Sequence, residues 1–63
     1  MTVLVGDKVK LRNAPTRGWM ALMHKYVGKI ATVENIDGDL FSYNGFWWIA
    51  SIDVVAIIER SNQ

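Results

Sequence analysis

The stretch Asp37-Gly38-Asp39-Leu40-Phe41-Ser42-Tyr43-Asn44-Gly45-Phe46-Trp47-Trp48-Ile49-Ala50 decides how this chain folds. Two strand-like runs flank Asn44-Gly45, the dipeptide that best tolerates the paired positive φ angles of a type I′ turn. A two-residue loop there fixes the register: Tyr43 opposes Phe46, Ser42 opposes Trp47, Phe41 opposes Trp48 and Leu40 opposes Ile49. Side chains alternate across a strand, so Phe41, Tyr43, Phe46 and Trp48 share one face. Leu40, Ser42, Trp47 and Ile49 take the other. Both faces are largely apolar, so the hairpin must be covered on two sides or offer one side to a partner.

Working outward from the hairpin, Lys8-Val9-Lys10-Leu11-Arg12 alternates strictly. That pattern predicts a half-buried strand with Val9 and Leu11 inward and Lys8, Lys10 and Arg12 in an exposed cationic row. Gly6-Asp7 reads as a turn, and Pro15 removes a ladder donor and ends the strand region. Residues 19–26 mix helix formers with Trp19, Leu22 or Met23, and Tyr26 on one helical face. They are expected to form a helical turn or a long ordered loop, with Gly28 as the residue that terminates it. Val27 to Asp37 is a strand in which Ile30, Val33 and Ile36 recur every three residues. Simple alternation cannot place all three on one face, which predicts a bulge or sharp bend. Ser51-Ile52-Asp53-Val54 suits a 3₁₀ turn capped by Ser51, and residues 55–59 form a final strand. Residues 61–63 are expected to fray.

At 63 residues there is room for one domain, spanning 1–63, with one core. Such a chain buries only about 60% of its unfolded surface and needs something to hold it together. It has no cysteine, so neither a disulfide nor a thiolate metal site serves that purpose, and its seven aromatic residues must do so instead. The expected interior is Phe41, Tyr43, Phe46, Trp48 and Ala50 with Val9, Leu11 and Val33. No apolar run reaches the ~18 residues of a membrane helix, and the first residues lack a secretory pattern. The expectation is a cytoplasmic domain without a membrane partner.

The order of elements resembles an SH3-like small β-barrel: five short strands, a helical excursion in the first long connection, and a 3₁₀ turn before the last strand. Gly6-Asp7-Lys8-Val9-Lys10-Leu11-Arg12 resembles the opening strand of such barrels. Residues 23–33, Met-His-Lys-Tyr-Val-Gly-Lys-Ile-Ala-Thr-Val, are similar to a segment of short, uncharacterised phage and prophage proteins, and Phe46-x-Trp48 and Asp53-Val54 fit the end of that pattern. The resemblance implies an all-β fold and, if phage-encoded, a host bacterial cytoplasm. Signalling SH3 domains have an acidic first loop and a proline after the Trp pair. Both are missing here, so proline-rich-peptide binding is not implied.

The chemistry-bearing residues point away from catalysis. His24 is the only imidazole, and Asp37 and Asp39 flank Gly38 as ordinary turn residues. Ser51 and Asp53 have no histidine placed as a base, and no glycine-rich phosphate loop is present. No cofactor, metal or small-molecule substrate is expected. Two binding surfaces are. Trp47 between Leu40 and Ile49, helped by Trp19 and Tyr26, has the make-up of a protein-docking site for a host protein or a second copy. Residues 19–26 either fold over that face or leave it free. Alternatively, Lys8, Lys10 and Arg12 track a phosphate backbone while Trp19 or Tyr26 stacks on bases. A structural, self-assembling component is a third expectation. Charge is unevenly split. Residues 1–29 carry six Lys and Arg against Asp7 alone, whereas residues 30–63 carry five carboxylates against Arg60.

Overall fold

The computed structural model describes residues 2–14 and 19–61. Expectations for Pro15, Arg17, Asn62 and Gln63 lie outside the described residues. Six strands form two antiparallel three-stranded sheets: β1 (Lys8–Leu11), β2 (Ile30–Thr32), β3 (Asn35–Asp37), β4 (Leu40–Tyr43), β5 (Phe46–Ile49) and β6 (Val54–Glu59). One sheet has the order β2-β1-β6 and the other β3-β4-β5. No ladder joins a strand of one sheet to a strand of the other among the described residues: two three-stranded sheets form where the sequence led to the expectation of five strands in one small barrel.

The difference arises inside the strand expected over 27–37, which divides into β2 and β3. Val33 N–H donates to the Asp7 carbonyl at 2.9 Å and extends the first sheet, while Glu34 N–H donates to the Ser42 carbonyl at 3.0 Å and extends the second. Two successive amides thus serve different sheets, and the chain turns a corner between them. The threefold recurrence of apolar residues marked this corner. Val33 and Ala31 are buried, whereas Ile30 and Ile36 are exposed.

The hairpin forms as expected. Asn44 and Gly45 hold φ of 54° and 86°, and the register pairs Tyr43 with Phe46, Ser42 with Trp47, Phe41 with Trp48 and Leu40 with Ile49. Asn44 is the only non-glycine residue at positive φ among those described, at a place where asparagine is among the least strained side chains. Trp48 and Phe41 are fully buried and join Val9, Leu11, Ala31, Val33 and Val54 of the other sheet in one core. Val3, Met23, Tyr26 and Ala50 complete that core, and Trp19, Tyr43, Phe46 and Ile57 pack at its margin. Burying each large side chain contributes roughly 1.5–3 kcal/mol.

Residues Ala21–Tyr26 form a 3₁₀ helix that buries Met23 and Tyr26. Gly28, at φ +68°, ends it, and its N–H donates to the Arg12 carbonyl at 2.9 Å. A Cβ there would sit 2.8 Å from Asn13 Oδ1, so backbone angle and close approach both require glycine.

Two local expectations are corrected. The turn before the last strand is α-helical, Ala50–Asp53, and Ser51 does not cap it. Asp39 does: its carbonyl accepts the Ala50 N–H at 2.7 Å, its Oδ1 accepts the Ser51 N–H at 3.2 Å, and its Oδ2 accepts the Ser51 hydroxyl. The Asp39 carboxylate binds the free Ser51 amide more strongly than a hydroxyl inside the helix could. Ser61, expected to fray, is held by its N–H on Asp7 Oδ1 at 2.6 Å.

Candidate functional site

The outer face of β3-β4-β5 is read directly from the register. One row across it is Asn35, Ser42 and Trp47; the next is Asp37, Leu40 and Ile49. Trp47 is 51% exposed and Leu40 38%, with Ile49 half-buried beside them. Asn35 Nδ2 donates to Ser42 Oγ at 3.2 Å, which fixes the polar end of the Trp47 row. The indole therefore stands on a paired strand, beside the row of Leu40 and Ile49, with half its surface in solvent.

The 3₁₀ segment does not cover this face. It packs on the opposite side of the hairpin, where the Trp19 and Trp48 rings meet edge-on at 5.0 Å and the Tyr26 and Trp48 rings at 5.7 Å. Tyr26 also meets Tyr43 at 5.6 Å and Phe46 at 6.2 Å, and its hydroxyl accepts a hydrogen bond from Asn44 Nδ2. Trp19 Nε1 donates to Asp53 Oδ1 at 2.7 Å. The expectation that Trp19 and Tyr26 assist Trp47 is thus corrected. Tyr26 is 9% exposed and both rings belong to the inner cluster, since edge-to-face contacts with Trp48 bury more ring area than an open sheet face offers. Trp47, Leu40 and Ile49 remain together without them.

The cationic row is also rearranged. β1 is the central strand of its sheet, so Lys8 and Lys10 stand on a sheet face and do not guard an edge. Lys10 lies opposite Ile30 and Ala56, and Lys8 opposite Thr32 and Glu59. Arg12 follows β1 and turns away. Its N–H donates to the Asp53 carbonyl at 2.8 Å and its Nε to the Ile52 carbonyl at 2.7 Å. Two lysines remain as a cationic pair, with no aromatic ring in their rows.

Two buried carboxylates escaped the sequence reading. Asp7 is fully buried and accepts the N–H groups of Leu4 (2.9 Å) and Ser61 (2.6 Å) and Arg60 Nη1 at 3.0 Å. Burial by itself would raise its pKa. The Ser61 and Leu4 amides and the Arg60 charge outweigh that and hold the carboxyl below its ordinary value. Asp53 is buried too, accepting Trp19 Nε1–H and the Ile49 N–H at 2.8 Å. The only available signal was position: each sits at a turn, where a short carboxylate reaches free amides. Both act as structural acceptors.

An open cleft of about 320 Å³ lies between the N-terminal segment and the β3–β4 turn, lined by Thr2, Val3, Ile36, Gly38, Asp39 and Ala50. Its single carboxylate, Asp39, is held by Ser51. His24 is exposed, with its ring 6.4 Å from that of Trp19. Among the described residues no group of three or more His, Asp and Glu side chains converges on a point, and no helix is long and apolar enough to cross a membrane.

Fold and site define a small, mostly β domain with one half-exposed tryptophan face. No family model, curated protein or solved structure matches this chain.

Proposed function

We propose that this chain is a non-catalytic binding module that docks a protein partner through Trp47, Leu40 and Ile49. The observation that carries the reading is the side taken by residues 19–26. They fill the inner face of the hairpin and leave Trp47 half in solvent on a rigid strand. A large, ordered aromatic side chain flanked by aliphatics is what a binding hot spot needs, because its burial is favourable and little rotamer freedom is lost. An SH3-like reading of the fold is supported by the strand orders β2-β1-β6 and β3-β4-β5 and by the corner at Val33-Glu34, through which one strand feeds both sheets. With it goes the reading as a phage- or prophage-type accessory protein working in the bacterial cytoplasm.

Nucleic-acid binding through Lys8, Lys10 and Arg12 is the weaker reading. Arg12 is engaged by the Ile52 carbonyl, and Trp19 and Tyr26 pack against Trp48, which leaves the lysines without a stacking platform.

The test is capture from a nuclease-treated bacterial lysate by the immobilised wild type and by Trp47→Ala. Loss of a retained protein in a variant that still melts cooperatively, as the wild type does, supports the proposal. An identical set of retained proteins, together with self-association unchanged by the substitution, overturns it.

A further inference from the structure

We propose that the partner of the Trp47 face is a second copy of this chain, presenting the outer face of its β2-β1-β6 sheet. The inference rests on the docking reading above and names its occupant. The inner faces of the two sheets share one core, so their outer faces point away from each other. Each combines apolar and charged side chains, and the charges are opposite. On one face, Trp47, Leu40 and Ile49 sit beside Asp37, with Asp39 exposed in the adjoining turn. On the other, Lys10 stands in the row of Ile30 and Ala56, with Lys8 in the next row and Lys29 exposed just before β2. Ile30 is 52% exposed there.

Two copies meeting through the same acidic face would bring Asp37 and Asp39 toward their own duplicates. Opposite faces instead set Lys10 against Asp37 and Ile30 or a lysine ammonium against the Trp47 indole, an apolar and a cation–π contact. Glu59, opposite Lys8 on the basic face, reduces its charge and places the main electrostatic role on Lys10. The contact joins different faces, so it repeats from copy to copy without closing a dimer. A face three short strands wide is about 10 Å by 13 Å, which puts the contact at the weak, reversible end of protein interfaces.

Sedimentation of the purified chain at about 0.1–1 mM, where a contact of this size is populated, tests the proposal, together with Lys10→Glu, Asp37→Lys and their equimolar mixture. The expected result is a wild-type mass rising with concentration beyond 7.1 kDa and past the dimer. That rise should fall several-fold at about 1 M salt, where charges are screened beyond ~3 Å. Each variant alone should stay monomeric, since its two faces then carry like charges. The mixture should associate again, because the carboxylate introduced at position 10 of one variant meets the ammonium introduced at position 37 of the other. A wild type that stays at 7.1 kDa throughout, or a mixture no heavier than its components, overturns the proposal. So does association abolished by nuclease. If the wild type stays monomeric while a Trp47-dependent protein is still captured from lysate, the second copy is wrong and the docking reading stands. If Trp47→Ala alters neither measurement, both fall.

Discussion

The Trp19 indole N–H donates to Asp53 Oδ1 at 2.7 Å, across 34 positions of sequence. This bond ties the first long connection to the helical turn before β6 and aims residues 19–26 at the inner face of the hairpin. Asp53 also holds the Ile49 N–H at the end of β5, so one buried carboxylate joins three parts of the chain. Asp53→Ala leaves the Trp19 indole and the Ile49 amide without their acceptor and should cost about 2–4 kcal/mol, read as a shift in the urea midpoint. Trp19→Phe keeps a ring against Trp48 and should cost less, about 1–2 kcal/mol, by the same measurement.

Adjacent tryptophans should respond oppositely. Trp48→Ala empties the centre of the core and should cost about 3–5 kcal/mol, enough to unfold a domain of this size. Trp47→Ala should change stability by less than about 1 kcal/mol, because its ring is half in water already. Thermal melts of the two variants decide this. A loss at Trp47 as large as that at Trp48 would place it in the core and remove the docking face.

Acid should unfold the protein partly through Asp7. Its carboxyl is depressed in the folded state, so its ionisation stabilises the fold fully above the unfolded value of about 3.9, and that stability is lost as pH falls through the lower folded value. Asp7→Asn should therefore be less stable at neutral pH and show a flatter dependence of melting temperature on pH over the acid range. Arg60→Gln should reduce the slope only in part, since the Ser61 and Leu4 amides remain.

Amide hydrogen exchange should find Val33 and Glu34 both protected. At the edge of a single sheet, protection alternates along a strand; here the two N–H groups bond to Asp7 and Ser42 in different sheets. Fast exchange at either one would remove the corner.

Gly45→Ala should cost about 1 kcal/mol, because φ of 86° strains any residue with a Cβ, although the space around it is open. Asn44→Gly keeps the turn and loses the bond to the Tyr26 hydroxyl, so a lower melting temperature is expected from that lost bond together with the backbone freedom glycine adds to the unfolded chain.

The parts of this fold legible in the chain are those set by near neighbours. Asn44-Gly45 admits one tight reversal, and strict alternation on either side then places Trp47 and Trp48 on opposite faces with no knowledge of the rest. The interior placement of Phe41, Trp48, Val9 and Leu11 follows from the same two-residue period. Even the corner at Val33 left a trace, as a recurrence no single flat strand could satisfy.

Other features arise from contacts between distant residues and have no local signature. Two turns of helix or ordered loop carry no preference for one side of a sheet, and the Trp19–Asp53 bond and the Trp48 edge contacts supply it. Asp7 reads as an ordinary turn residue until Arg60 and Ser61, more than fifty positions away, close over it. Asp39 displaces Ser51 as cap only because the β3–β4 turn folds against the helical turn. Short-range sterics and side-chain alternation act within a few residues, so they are written in the order of amino acids. The pairing of buried charges and rings depends on which surfaces meet once the two sheets close on a common core.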